Sequence, residues 1–444
     1  VGDESSLEES KLFERIAEVS GLKINDKQLK GKMWMLPASE VEAYACEDVV
    51  LTRALRDKCV EALKAWGLYD MWREINFYSR ITALMELRGM KLDLPLMAQY
   101  ASEASTHSDS ALQTLYSLAG YEINPNSSKQ VCRALGIDSS AADILEVLSE
   151  RDDDRGHLAK AVMLARGWLS VKSRYYTPYS EMCDADGILH TSLNLMGTIS
   201  GRLSSSSPNL QAVARKTNVF KVKDVFIARE GYTLVSADYK QAEMRLASFY
   251  AREHTMADLI NAGADIHSST ADELGIPRDA AKRINFGVIY GIGAPGLSKQ
   301  LHIEKSVAQG YLTKYHGMYP QFRTLMRACE YKGEQDGYIR MWSGRARRYG
   351  PSIDPHKAMS NLIQGGVAEI MRTSISRLYP FICDIGGYMV LQVHDQIMFE
   401  IPDDKVTMAI PIIEAIMCDF EFDPPMLVDV KYGKSWGGMK AWTT

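Results

Sequence analysis

The chain has 444 residues, 46% hydrophobic and 24% charged, which is typical of a globular protein with two to four subdomains and no membrane-spanning apolar run. Its seven cysteines are scattered without a C-x-x-C pair, which argues against a zinc site or a disulfide framework and favours a reducing compartment. The net charge of −5 hides two acid-free basic stretches, at residues 197–223 and 337–348. Each stretch could neutralise nucleic-acid phosphates or form a solvated face.

Helices dominate the first 180 residues of the predicted structure. Residues 1–78 are predicted to be helical, and the break at residues 36–39 (L-P-A-S) is predicted to cap a helix that carries residues 41–55. Residues 95–180 are again mostly helical. The chain opens on Val1 and has no visible signal peptide, so we expect a fragment of a longer protein.

Strand patterns begin after Asp186. Apolar segments with β-branched residues predict strands at residues 188–195, 233–237, 388–393 and 397–401. Between the second and third of these, residues 240–335 are predicted to form a helical block. We therefore predict an α+β fold in which a purely helical insertion splits an antiparallel sheet.

Two acidic residues lie at the ends of predicted strands. Asp238 ends the strand that starts at Tyr232, and Asp395 lies at the tip of the last predicted hairpin. If these strands are neighbours, the carboxylates converge and could bind two Mg²⁺ ions roughly 4 Å apart, as in-line phosphoryl transfer requires. A single aspartate at a strand end is more often a turn or capping residue.

A predicted helix at residues 278–291 carries two cations followed by two aromatic rings. Arg278, Lys282, Phe286 and Tyr290 recur every four residues and form one gently drifting stripe. The charges would suit a triphosphate and the rings a sugar and base, and Lys282 could protonate a leaving pyrophosphate. An ordinary amphipathic helix with a solvated basic end explains the same pattern.

Four longer motifs follow one another in a fixed order. They are residues 198–211 (T-I-S-G-R-L-S-S-S-S-P-N-L-Q), 238–245 (D-Y-K-Q-A-E-M-R), 278–291 (R-D-A-A-K-R-I-N-F-G-V-I-Y-G) and 392–395 (Q-V-H-D). The first resembles the primer-template motif of the DNA polymerase I family (family A), and the others resemble its motifs A, B and C. The resemblance extends over about residues 79–440 and implies a right-hand polymerase with palm, fingers and thumb.

The resemblance also implies a role for each matching residue. Asp238, Asp395 and the Tyr239 carbonyl would bind metal, Lys282 would join the two aspartates in catalysis, and Glu243 would be a steric gate against a ribose 2′-hydroxyl. The other residues expected to contact the incoming nucleotide are Gln241, His267, Arg278, Lys282, Phe286 and Tyr290. Those expected to contact primer and template are Arg202, Asn209, Gln211, Arg345, Gln364 and His394.

The chain departs from the family pattern in motifs A and C. Gln396 follows Asp395 where the family usually has glutamate, so the source of a third acidic contribution is in doubt. Lys240 replaces a small polar residue of motif A and could alter the phosphate environment. We still expect activity, because in this family the position after the second aspartate is less important for catalysis than the two aspartates themselves.

Tyr44 and Asp48 have the Y-x3-D spacing of the third motif of the 3′–5′ exonucleases attached to this family. A surface Tyr/Asp pair on a helix is the alternative explanation. The D-x-E strand and the further aspartate of such a site are not found upstream, so we expect only the C-terminal remnant of an exonuclease domain and no proofreading by this chain.

These observations lead to one organisation and one principal function. The predicted parts are an exonuclease remnant (1–78), the polymerase entry and thumb (79–190), the first part of the palm (191–248), the fingers (249–336) and the second part of the palm (337–444). The resemblance implies a DNA-templated DNA polymerase with two Mg²⁺ ions, for which Mn²⁺ could substitute. A single-subunit RNA polymerase-like enzyme and a non-catalytic DNA-binding relic are the alternatives.

The expected partners are primer-template DNA and deoxynucleoside triphosphates. An upstream exonuclease portion and a processivity factor are further candidates, and no membrane is expected. The expected location is the cytoplasm of a bacterial cell or of a phage-infected host, with an organelle as the alternative if a transit peptide was removed.

Overall fold

The structure is a computed structural model that describes residues 2–23, 29–214, 221–350 and 357–443. Two basic residues of the first acid-free stretch, Arg215 and Lys216, lie outside the described residues. The chain divides into two compact units, Val1–Arg73 and Glu74–Thr444. Within the described ranges, no helix combines the length and the apolar character that crossing a membrane requires.

The first unit is helical, as the sequence predicts. It contains α1 (Gly2–Ser20), a 3₁₀ segment (Leu29–Met35) and α2 (Ala38–Ala65) around a small core that includes Ile16 and Leu36. The break at residues 36–39 and the helix that follows it are confirmed. Pro37 occupies the cap position without a side-chain capping bond, because a proline ring has no hydrogen-bond acceptor.

The second unit starts within α3 (Tyr69–Arg88) and continues with a group of helices. They are α4 (Leu94–Ala119), α5 (Ser128–Leu135), α6 (Ala142–Ser149), α7 (Asp154–Val171) and α8 (Thr177–Met182). Aspartate side chains start two of them, since Asp93 accepts from the Leu96 amide and Asp153 from the Gly156 amide, both at 2.9 Å. Helices α4 and α7 pack around a core that includes Leu115.

Within the described ranges, the strands form one five-stranded sheet and three smaller ones. In chain order they are β1 (Met90–Leu92), β2 (Ile188–Leu189), β3 (Ser192–Asn194), β4 (Ser204–Ser206), β5 (Phe226–Ile227), β6 (Tyr232–Tyr239), β7 (Tyr338–Arg340), β8 (Ala346–Arg348), β9 (Tyr388–Val393), β10 (Gln396–Pro402), β11 (Val428–Gly433) and β12 (Lys440–Ala441). The main sheet is antiparallel in the order β12-β11-β6-β10-β9. The predicted strand at 188–195 is two short strands, β2 and β3.

The predicted helical block between the halves of the sheet is confirmed. It comprises α9 (Ala242–Ala251), α10 (His254–Asn261), α11 (Ile266–Leu274), α12 (Arg278–Ile289), α13 (Ala294–Leu301), α14 (Lys305–Met318) and α15 (Pro320–Gln335). Its core includes the buried rings of Tyr315, Tyr319 and Phe322. Helix α12 ends two residues before the predicted end, so Tyr290 is its C-terminal cap.

Two helices close one face of the main sheet. Helix α16 (Ala358–Asp384) and helix α17 (Val406–Cys418) pack against Val235, Ala237 and Phe399 of the central strands. Alternate residues of β6 therefore face the core, and the other set, with Ser236 and Asp238, faces the opposite side. This alternation places Asp238 on the face of the sheet that α16 and α17 leave open.

A buried ionic cluster stabilises the far end of the sheet. The Glu400 carboxylate is 1% exposed and accepts hydrogen bonds from the Arg229 guanidinium at 2.7 Å, the Arg88 guanidinium at 3.0 Å and the Arg229 amide at 3.0 Å. We expect Glu400→Gln to lower the free energy of unfolding by about 3 kcal/mol, because two arginines lose a buried counter-charge. Urea denaturation beside the exposed Glu230→Gln control measures this, and equal midpoints would contradict it.

Candidate active site

The register of the central strands brings together four side chains on the open face of the sheet. Asp238 of β6 lies directly opposite Gln396 of β10 on one side and Asp429 of β11 on the other. Asp395 lies in the tight turn between β9 and β10. All four line a cavity of about 770 Å³. The sequence prediction that Asp238 and Asp395 converge at one edge of the sheet agrees with this geometry.

The tight turn at His394 and a main-chain hydrogen bond fix the position of Asp395. His394 has a left-handed φ of +52°, which makes the reversal tight, and the Tyr239 amide donates to the Asp395 carbonyl at 3.1 Å. Within the described part of the chain, Oδ1 of Asp395 is buried without a hydrogen-bond partner, and the nearest cation is Arg202 at 3.7 Å. Burial, Glu243 and Asp238 together raise the pKa of Asp395 to about 6, against the opposing charge of Arg202.

Asp238 shares this environment. Burial and the charge of Asp429 raise the pKa of the Asp238 carboxyl, and the cations Lys431 and Lys223 oppose the shift. Two neighbouring carboxylates with raised pKa values are therefore held in one cavity, where a cation would stabilise both.

The donor set fits a hard divalent cation. Mg²⁺ is usually bound by one or two carboxylates together with waters and substrate phosphates, and two carboxylates are what Asp238 and Asp395 offer. The orphaned Oδ1 of Asp395 is a free ligand position. Among the described residues, no group of three or more His, Cys, Asp or Glu side chains is arranged for a metal ion. Substrate and backbone oxygens would complete the coordination.

The raised pKa of Asp395 predicts a pH-dependent gain of stability on its removal. Because the folded-state pKa is about 6 and the ordinary value is 3.8, ionisation of Asp395 destabilises the fold as the pH rises through this interval. In chelator, we expect Asp395→Asn to be more stable than the parent by about 3 kcal/mol at pH 8 and by less than about 1 kcal/mol at pH 4. Thermal unfolding at both pH values measures this. A gain of the same size at both would contradict it.

Glu243 connects the metal-ligand candidates to the fingers helices. It starts α9, is 6% exposed, and accepts hydrogen bonds from Arg202 on Oε1 and from the Tyr290 hydroxyl on Oε2. Gln364 hydrogen-bonds the same Tyr290 hydroxyl. Since Arg202 also lies 3.7 Å from Asp395, one guanidinium links the predicted gate to the predicted metal site.

The predicted stripe on α12 is present. Lys282 is exposed, and the Phe286 and Tyr290 rings are 6.2 Å apart. Arg278 donates from Nε to Asp265 Oδ2 at 2.6 Å, and this hydrogen bond is the main reason that the pKa of Asp265 is lowered. Asp265 also starts α11 by accepting from the His267 amide at 3.1 Å, so it orients Arg278 against a rigid helix end.

His267 is a buried, neutral neighbour of this stripe. It is 4% exposed, its ring lies 5.6 Å from that of Phe286, and burial lowers its pKa. The Asn285 side-chain amide lies 3.0 Å from Nδ1 and orients the ring. Because burial favours the neutral imidazole, His267 is suited to hydrogen-bond a phosphate.

Two of the predicted primer and template contacts, Gln211 and His394, line the cavity. Gln211 donates to the Gln392 carbonyl at 3.0 Å, and the Gln392 side chain accepts from the Tyr78 hydroxyl at 2.7 Å. His394 is exposed at its surface, and partial desolvation followed by the Arg202 charge lowers its pKa. Gln211 and His394 both line the cavity of Asp395, so these two contacts are brought to the carboxylates.

The remaining site candidates serve local structure as well. Arg345 donates to Glu369 at 3.0 Å and lies so close to Gly201 that a Cβ there would come 2.2 Å from its Nη1. Asn209 is exposed and accepts from the Gln211 amide at 3.0 Å. Gln241 has a φ of +49° and precedes α9. The Asn209 side chain shapes the turn that precedes Gln211, whereas the Gln241 side chain makes no capping bond to α9.

Tyr44 and Asp48 lie one turn apart on α2 in the first unit. Tyr44 packs against the small core with its ring 6.4 Å from that of Phe13, whereas Asp48 is exposed. A role for this pair in an exonuclease site stays a prediction.

Sequence analysis missed several residues of the cavity. Asp429, Lys431 and Lys223 line it, although the motifs assign them no role. The alternation of V-D-V-K at residues 428–431 indicates a strand with two charges on one face, which was the available signal. Only the pairing of β11 with β6 reveals that this face is the one that carries Asp238.

Comparison with known proteins agrees with this geometry. The profile of DNA polymerase family A matches residues 95–438, which is most of the chain. The chain belongs to DNA polymerase family A. It is 31% identical to DNA polymerase I of Rhizobium leguminosarum over 88% of its own length and 43% of that protein. It is 30% identical to the thermostable DNA polymerase I of Thermus aquaticus over 82% of its length and 48% of that protein.

A solved structure extends the likeness of this family A chain to the whole fold. The polymerase domain of Pol1 from M. smegmatis, in complex with DNA primer-template and dNTP, superposes with a TM-score of 0.80 at 26% identity. The match covers 96% of this chain and 78% of that one. The α+β polymerase architecture expected from the motifs is thereby confirmed. The chain spans about half the length of the curated relatives it matches.

Proposed function

We propose that this chain is a DNA-templated DNA polymerase that adds deoxynucleotides to a primer 3′-hydroxyl and releases pyrophosphate. The observation that carries the proposal is the contact chain from Asp395 through Arg202 and Glu243 to Tyr290. It joins a carboxylate pair suited to divalent metal with a helix whose Arg278 and Lys282 suit a triphosphate.

The proposed metal is Mg²⁺, as two ions held by Asp238, Asp395 and the Tyr239 carbonyl, with Mn²⁺ as a substitute. Divalent metals are general in family A polymerases. When bound, they would supply the Lewis acidity that activates the primer hydroxyl and stabilises the charge on the leaving pyrophosphate. The two raised carboxyl pKa values and the orphaned Asp395 oxygen support this assignment.

Residues of the fingers helices would bind the incoming nucleotide, and Glu243 would select its sugar. Lys282, Arg278 and His267 would hold the triphosphate, and Lys282 would donate a proton to the pyrophosphate oxygen that leaves. Phe286 would contact the sugar, and Tyr290 would lie beside the new base pair. Glu243, fixed from both sides by Arg202 and Tyr290, would fill the space that a ribose 2′-hydroxyl needs.

Primer-template DNA would bind across the open face of the sheet. Arg202, Asn209, Gln211, Arg345, Gln364 and His394 are the proposed contacts. Some of them would read the shape of the base pair in the minor groove, whose acceptor pattern differs little between sequences. The bacterial relatives favour the cytoplasm of a bacterial cell or of a phage-infected host as the location.

Extension of a labelled primer with Mg²⁺ tests the proposal. We expect a product whose sequence follows the template, made from deoxynucleotides and strongly disfavoured with ribonucleotides. Efficient ribonucleotide use would favour the RNA polymerase-like alternative. DNA binding without any extension would favour the non-catalytic relic.

A further inference from the structure

A third carboxylate lies beside Asp238 on the side away from Gln396. Asp429 of β11 is paired directly opposite Asp238 of β6, which places the two Cβ atoms roughly 5 Å apart on one face of the sheet. Gln396 occupies the equivalent position on the other neighbouring strand, β10. Asp238 therefore has one amide and one carboxylate as its lateral neighbours.

The amide neighbour, Gln396, cannot stabilise a cation by charge. It donates a hydrogen bond from Nε2 to the Ser236 hydroxyl of β6, and its side chain is uncharged. Asp429, by contrast, offers a carboxylate and is paired directly opposite Asp238. Of the two lateral neighbours that this register gives Asp238, Asp429 is thus the acidic one.

Lys240 holds this carboxylate at the rim of the cavity. Its Nζ lies 2.8 Å from Asp429 Oδ1, and its amide donates to the Leu427 carbonyl at 2.8 Å. These two contacts join the residues after Asp238 to the start of β11. The lysine that departs from the motif A pattern therefore contacts the carboxylate that lies opposite Asp238.

We propose that Asp429 is an outer carboxylate beside the metal site, in place of the glutamate that Gln396 replaces, and that Lys240 positions it. The inference rests on the proposed function, because it concerns the same cation. Asp429 acts as a positioning residue: it orients the water shell of a cation held by Asp238 and adds one negative charge to its surroundings. Partners of this outer kind commonly change metal affinity by about tenfold or more.

Direct binding of Mn²⁺ tests the role of Asp429 without turnover. Electron paramagnetic resonance would count free Mn²⁺ during titration of the protein with primer-template DNA that ends in a dideoxynucleotide and the next dNTP. We expect Asp429→Asn to weaken Mn²⁺ binding about 10-fold, the low end for such partners because the side chain is exposed. The exposed Asp404→Asn, at the far end of β10, is the matched loss of one charge and should leave binding unchanged.

Rescue distinguishes a metal role from a structural one. Adding Gln396→Glu to Asp429→Asn should restore Mn²⁺ affinity to within about twofold of the parent, because the charge returns on the other side of Asp238. Equal affinities of Asp429→Asn and Asp404→Asn, or no rescue, would overturn the inference. If Asp238→Asn still loses binding in that case, the proposed function stands; if Asp238→Asn binds Mn²⁺ normally and extends primers, the proposed metal site itself fails.

Discussion

Replacing Asp395 or Asp238 by asparagine should lower the rate of nucleotide addition at least roughly 10³-fold. Asparagine keeps the shape of each side chain but removes the charge that would bind a divalent cation. Because Asp395 lies at a hairpin tip and Asp238 near the end of a strand, neither change interrupts the core that α16 and α17 form with the sheet. The loss should therefore concern chemistry and not folding.

Single-turnover primer extension at saturating dNTP is the measurement. Circular dichroism and DNA-binding affinity of each variant give the folding control, and Asp404→Asn gives the charge control. The same Asp395→Asn protein is expected to be more stable than the parent in chelator at pH 8, so inactivity with increased stability is the combined signature. Extension at more than a tenth of the parent rate by either variant would remove these aspartates from the mechanism.

Lys282→Ala should lower kcat/KM for the incoming nucleotide by roughly 10²- to 10³-fold, since a triphosphate would lose a cation and a proton donor. Arg283→Ala is the matched control. It removes a neighbouring cation on the same helix whose guanidinium donates to the Gln300 carbonyl at 3.0 Å. Steady-state extension with one nucleotide measures both variants. Equal losses would mean that the general charge of α12, and not Lys282 itself, is what matters.

Lys282→Arg separates binding from proton transfer. Arginine keeps the positive charge but does not give up its proton, so KM should stay near that of the parent while kcat falls. A variant with unchanged kcat would show that proton donation by Lys282 is not part of the reaction.

The local pattern of the chain was sufficient to predict the central elements. Apolar segments with β-branched residues predicted β6, β9 and β10, and the four-residue recurrence predicted α12 with its cations and rings. These features depend on neighbours in sequence, because side-chain period and turn residues act over a few positions. The end of α12 was less accurate, as Tyr290 illustrates, since helix ends depend on individual backbone bonds.

The ordered motifs also identified the family and its two central aspartates, Asp238 and Asp395, from the sequence by itself. Only the tertiary structure decided what surrounds them. The burial that raises their pKa values, the bridge from Arg202 to Glu243, and the position of Asp429 opposite Asp238 all depend on strands that are far apart in the chain. Strand pairing and desolvation are long-range properties, so residues 428–431 could be predicted as a strand without any indication that Asp429 lies beside the metal-ligand candidates.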